Sequence, residues 1–144
     1  MNELQAIKSI SSYTRQEKLK QGMSCIVLPL PNNCVAKLFY LESEAWESFH
    51  NQLELYAYDL ATRVYCSPRY IKLNNVETGG LSGEYWWYVC DKAEMIQPTN
   101  ANRTLLSMRY KLEKVTTKQF DLYTIDNIGI YKGKLVLLDC LEEN

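Results

Sequence analysis

The stretch 120–140, FDLYTIDNIGIYKGKLVLLDC, is written as a hairpin. Ile128, Gly129, Ile130 and Tyr131 form a short apolar run. Lys132-Gly133 is a two-residue turn in which Gly is free to take positive φ. Residues 135–138 are the returning strand, and Asp139 ends it. Asn127 stands at the mouth of the first strand and Asp139 at the end of the second. A hairpin holds such positions near one another, so two oxygen-bearing side chains converge at one end. Oxygen ligands so arranged suit Mg²⁺ carried by a phosphate substrate.

Working upstream, Leu105, Met108, Leu112 and Val115 recur at spacings of 3, 4 and 3 and predict a helix over 101–116, capped by Thr99 or Asn100. The dense aromatic run 84–90 and the run 69–73 read as strands. The strongest helix signal covers 43–64. Ser43 is its expected N-cap, with Glu44 and Glu47 near the positive end. Trp46, Phe49, Leu53, Tyr56, Leu60 and Val64 fall on one face at spacings of 3, 4, 3, 4 and 4, which predicts burial of that stripe. Runs 24–28 and 34–40 pair across the turn residues 29–33. Leu4, Ile7 and Ile10 predict a short helix, and 11–21 holds an edge strand. Together these give an α+β fold: a twisted antiparallel sheet of about five strands, one long packed helix, then a helix and a short hairpin.

At 144 residues the chain has the length of one domain, and no linker or repeat divides it. A net charge of −1 argues against a general electrostatic nucleic-acid binder. The five cysteines contain no C-x-x-C pair and His50 is the single histidine, so no zinc cluster is expected. Unpaired thiols, no apolar signal core and no long apolar run predict a soluble cytoplasmic protein without membrane contact.

In order along the chain, these features resemble protein kinases. Val35-Ala36-Lys37 is similar to the family's phosphate-pairing lysine strand, and the loop at Gly22 to its glycine loop. Gln52 takes the helix position where the family has a lysine-pairing Glu, and 91–95 resembles the hinge that meets adenine. Asn127 and Asp139 match the two magnesium-holding residues. Asp121 lies one residue before the position of the proton-accepting Asp, which here is Leu122. Cys140-Leu141 replaces the Phe-Gly that follows the metal-binding Asp, and the glycine loop has one glycine instead of three.

The resemblance covers about residues 20–141 and implies an N-lobe-like part, 20–97, and a C-lobe remnant of helix and hairpin, 98–144. It also resembles the shortened kinase-like proteins of some bacteriophages and bacterial effectors. With five residues after Asp139, the later C-lobe helices are expected to be missing. The expected function is therefore a non-catalytic, pseudokinase-like module that inhibits or regulates a larger cytosolic protein. ATP and Mg²⁺ binding is expected to be weak at Gly22, Lys37, Gln52, Asn127 and Asp139. Phe120, Leu122, Tyr123 and Ile125 are expected to form the partner face unless the 101–116 helix covers them, and a homodimer is compatible with it. Two alternatives remain: a minimal ATP-using kinase completed by a partner, and an unrelated α+β interaction domain.

Overall fold

The structure is a computed structural model that describes residues 2–13, 20–21, 25–97 and 99–143, with backbone alone at 20–21. Gly22 and most of the predicted edge strand lie outside the described residues. The architecture is α+β. Helix α1 (Glu3–Ser11) is followed by β1 (Lys20–Gln21), β2 (Ile26–Leu30), β3 (Cys34–Phe39), α2 (Glu42–Tyr56), β4 (Arg69–Asn74) and β5 (Ser82–Asp91). Then come β6 (Glu94–Met95), α3 (Ala101–Glu113), a 3₁₀ turn (Ile125–Asn127), β7 (Ile128–Tyr131) and β8 (Lys134–Leu137).

The first five strands form an antiparallel sheet in the order β1-β2-β3-β5-β4. Alternation sends the side chains of β3 and β5 to opposite faces. Ala36, Leu38, Trp87 and Val89 pack with Ala6, Ile10 and Tyr13 on the α1 side. Val35, Phe39, Tyr88 and Cys90 pack with Ala45 of α2 on the other. Helix α1 is held by a capping box between Asn2 and Gln5.

The second sheet, β6-β7-β8, was only half legible in sequence. The β7–β8 hairpin closes through Lys132 (φ 51°) and Gly133 (φ 77°), both left-handed as a tight hairpin turn requires. The stretch read as a hinge supplies β6, which pairs with β7 at Glu94↔Ile130 and Met95↔Gly129. A Cβ at Gly129 would lie 2.8 Å from the Ala93 Cβ, so this close pairing needs glycine. Helix α3 buries Met108 and Leu112 against this sheet, with Leu105 and Val115 beside them, as its stripe predicts. Asn100 stands at its N-cap in a left-handed conformation and makes no side-chain cap bond.

Helix α2 corrects the sequence reading in three ways. Its N-cap is Leu41, not Ser43, with no side-chain cap bond. It ends at Tyr56 rather than 64. Asp59 is left-handed (φ 60°), Leu60 N donates to Leu55 O at 2.9 Å, and Asp59 N to Tyr56 O at 3.0 Å. That is a Schellman closure, with Leu55 and Leu60 in one apolar cluster. An Asp fills the place where glycine would have signalled the stop. The third correction concerns the buried face. It is Ala45, Ser48, Asn51, Gln52 and Leu55; Trp46, Phe49 and Tyr56 are half-buried and Leu53 is 46% exposed. Hydrophobic periodicity pointed to the wrong face because three of the buried residues are polar and find partners inside.

This assignment predicts that Leu55→Ala lowers stability by about 2–5 kcal/mol and Leu53→Ala by less than about 1 kcal/mol. Urea midpoints of the two variants give the answer; equal shifts would mean that the helix face is wrongly assigned.

Candidate functional site

Strand β3 carries Lys37 into the interface between sheet, α2 and the end of the hairpin, where it is 6% exposed. Its Nζ donates to Gln52 Oε1 at 2.9 Å and to the Leu138 carbonyl at 2.6 Å, and lies 5.8 Å from the Tyr88 ring centre. The Tyr88 hydroxyl donates to the same Gln52 oxygen at 2.8 Å and lies 2.7 Å from Ser48 Oγ. Gln52 Nε2 donates to the carbonyl and the hydroxyl of Thr62, both at 3.0 Å. Next to Gln52 in sequence, Asn51 donates to the Cys140 carbonyl at 2.8 Å and accepts from Lys118 Nζ at 2.7 Å. The buried polar face of α2 thus fastens the sheet to the segment after the hairpin.

The other predicted residues brace that segment. Asn127 is 3% exposed. Its Nδ2 donates to the Asp121 carbonyl at 2.6 Å, and its Oδ1 accepts from the Asp139 N–H at 2.5 Å. Asp139 Oδ1 accepts from Leu141 N at 3.2 Å, and Asp121 Oδ1 from Tyr123 N at 3.0 Å. Lys37, Gln52, Asn127, Asp139 and Asp121 are therefore brought into one connected region, largely through backbone groups. Both ends of the Asn127 amide are bonded to backbone, an arrangement that does not fit an Asn/Asp pair jointly holding Mg²⁺. Among the described residues, no group of three His, Cys, Asp or Glu side chains is placed to hold a metal ion.

The electrostatics follow from burial. Burial works against the Lys37 charge, but the Tyr88 oxygen and the sulfurs of Cys90, Cys140 and Cys25 outweigh it, holding the pKa well above the ordinary lysine value. Burial pushes the Cys140 and Cys25 thiols up to about 12, with Lys37 opposing and Asp139 reinforcing the shift. It raises Tyr88 as well.

The expected partner face is changed by the fold. Phe120 and Leu122 are buried under α3, the alternative to their forming a partner face, while Tyr123 is 76% exposed and Ile125 half-buried. The cover comes from Met108 and Leu112 of α3, a long-range packing that spacing within 120–125 does not encode. A groove of about 550 Å³ remains there, lined by Arg109, Glu113, Lys118 and Tyr123 with the edges of Phe120 and Leu122. Sequence reasoning missed Ser48, Asn51, Thr62 and Tyr88. The spacing of Ser48, Asn51, Gln52 and Leu55 on one face of the helix was the available signal.

No family model, no characterised protein and no solved structure matches this chain.

Two outcomes are expected. Lys37→Met leaves the Leu138 carbonyl buried without its donor and should cost about 1–3 kcal/mol, read from a urea midpoint; an unchanged midpoint would remove the clamp from the account. The second concerns alkali. Unfolded thiols ionise near 9, whereas those of Cys25 and Cys140 in the fold ionise near 12. Between these values the folded state holds protons that the unfolded state releases, so stability falls as pH rises. Thermal midpoints from about pH 7 to 11 should decline above about 9, less steeply in a Cys25→Ala, Cys140→Ala variant. Parallel profiles for the two proteins would contradict this.

Proposed function

We propose that the chain is a non-catalytic, kinase-like module that binds a larger cytosolic protein and inhibits or regulates it. One observation carries the reading: Lys37 is 6% exposed and its Nζ is bonded to the Leu138 carbonyl, beyond the lysine–helix pairing that the family keeps. The resemblance assigns this lysine to nucleotide phosphates, yet its ammonium is committed to groups of the chain itself. Phosphoryl transfer depends on positioned charge, so a lysine and an asparagine spent on internal bracing leave little for a nucleotide. Support for the kinase-like part is the element order: lysine strand, helix, two strands, hinge, helix, then Asn-hairpin-Asp.

The groove beside α3 is the proposed partner face. Tyr123 stands at its rim, its hydroxyl donating to Glu143 at 2.7 Å. An exposed aromatic over a half-apolar floor, with Arg109 and Lys118 alongside, has the composition of an interface anchor. The second reading, a minimal kinase completed by a partner, is favoured by one fact: Lys37, Asn127 and Asp139 do gather in one region.

Calorimetry with ATP and Mg²⁺ should give no saturable heat, and a radiolabel assay no phosphotransfer. Micromolar ATP affinity together with transfer abolished by Asp139→Ala would favour the second reading. Once affinity capture and mass spectrometry have identified a partner, Tyr123→Ala should weaken its binding by about tenfold or more. The unfolding midpoint should hardly move, because the ring is exposed in the free chain. Undiminished binding by the variant would sink the assignment of this groove.

A further inference from the structure

Besides that groove, the molecule carries an aromatic shelf that the kinase-like reading does not use. The α2 stripe that hydropathy predicted to be buried lies along it. Trp46, Phe49 and His50 form a contiguous ring cluster, with centroids 5.4 to 5.9 Å apart, and Leu53 is 46% exposed one turn on. Phe49 packs against the buried Tyr88, so the shelf is anchored to the core. Trp86 packs against the same buried cluster, and Tyr70 meets Trp86 at 5.3 Å. Cross-strand register puts Tyr70 beside Trp86 and Lys72 beside Glu84, all on the α2 side of the sheet. A surface with two half-exposed indoles, a phenol and a leucine exceeds the scattered apolar residues of an ordinary surface.

Charge selects the occupant. Helix α2 carries Glu42, Glu44, Glu47 and Glu54 and no lysine or arginine, although the whole chain is close to neutral. Glu47 and Glu54 serve the opposite flank, where they meet the Glu142 N–H at 2.9 Å and Lys118 at 3.9 Å. Glu42 lies in the first turn, four residues before Trp46 and so on the same helix face, whereas Glu44 turns to the other side. On the sheet side Glu84 accepts from the Tyr70 hydroxyl at 2.5 Å, with Lys72 as the facing cation. Aromatic faces rimmed by carboxylates attract cations twice over, through the ring quadrupole and through ion pairing. Arginine suits such a surface best, because its flat guanidinium stacks on a ring while its edges reach a carboxylate.

We infer that this shelf docks an arginine-bearing amphipathic segment of a partner protein, its apolar side chains on Trp46, Phe49 and Leu53 and its guanidinium groups on the indoles and the Glu42 and Glu84 carboxylates. The inference stands apart from the kinase-like reading, since it uses neither Lys37 nor the groove at Tyr123.

The test titrates the full chain with three synthetic peptides: a leucine/arginine amphipathic helix, its scrambled isomer, and the same helix with Glu for Arg. Tryptophan fluorescence and calorimetry report binding. The amphipathic peptide should bind saturably, its isomer about tenfold more weakly, and the acidic peptide not at all. Binding should weaken between about 50 and 300 mM salt. Trp46→Ala should lose about tenfold in affinity, and Trp46→Phe should retain most of it. Leu53→Ser, at an exposed site, should also weaken binding and keeps the test open if Trp46→Ala fails to fold. Tyr123→Ala should leave it unchanged, which separates this surface from the groove. Equal binding of both basic peptides with no effect of Trp46→Ala or Leu53→Ser would reduce the attraction to bulk charge and overturn the proposal. So would a concentration-dependent dimer, seen by sedimentation and abolished by Leu53→Glu, because the shelf would then belong to a second copy.

Discussion

A lysine ammonium with almost no access to water must be given acceptors by the protein itself, and in this fold Lys37 sets that demand. A buried cation without partners costs several kcal/mol and is not tolerated. Its acceptors come from two directions: the Gln52 amide from α2 and the Leu138 carbonyl from the segment after β8. Each must be held in place in turn. Thr62 fixes the Gln52 amide, Tyr88 shares its oxygen, and Asn127 positions the backbone around Asp139. The polar face of α2 follows from one buried charge.

That chain of dependence also links the apolar units of the molecule. Two clusters cover the faces of the five-stranded sheet, and a third joins α3 to the hairpin and to Leu55, Leu60 and Ala61. Apolar packing alone tolerates sliding, since it is non-directional. Hydrogen bonds of 2.6 and 2.8 Å from Lys37 and Asn51 to the Leu138 and Cys140 carbonyls fix one relative placement. A buried polar network that is satisfied throughout specifies a single arrangement more sharply than hydrophobic contact does.

Much of the fold was legible because its signals are local. The Lys132-Gly133 turn announces a hairpin through the conformation it requires, and the α3 stripe announces its buried face. The α2 face was not legible: Ser48, Asn51 and Gln52 become core residues only when Tyr88, Lys37 and the Cys140 carbonyl arrive from elsewhere. The end of α2 was hidden because Asp59 takes a conformation more often given to glycine. The site was partly visible. The association of Lys37, Gln52, Asn127 and Asp139 could be expected from their order, but their partners could not, because most are backbone atoms. Whether Phe120 and Leu122 were exposed or covered stayed open in the sequence, since α3 covers them from outside their own stretch.

The Lys37–Leu138 bond spans 101 residues of sequence. A ribosome adds about 5–20 residues per second, so Lys37 emerges roughly 5–20 s before its carbonyl partner exists. During that interval α2 can offer Gln52, but the second acceptor is missing and the lysine favours water over the interior. Until then, burial of Lys37 under α2 lacks one of its two acceptors, which weighs against early closure. The surroundings of Lys37 can be completed only once the segment after the hairpin has been made.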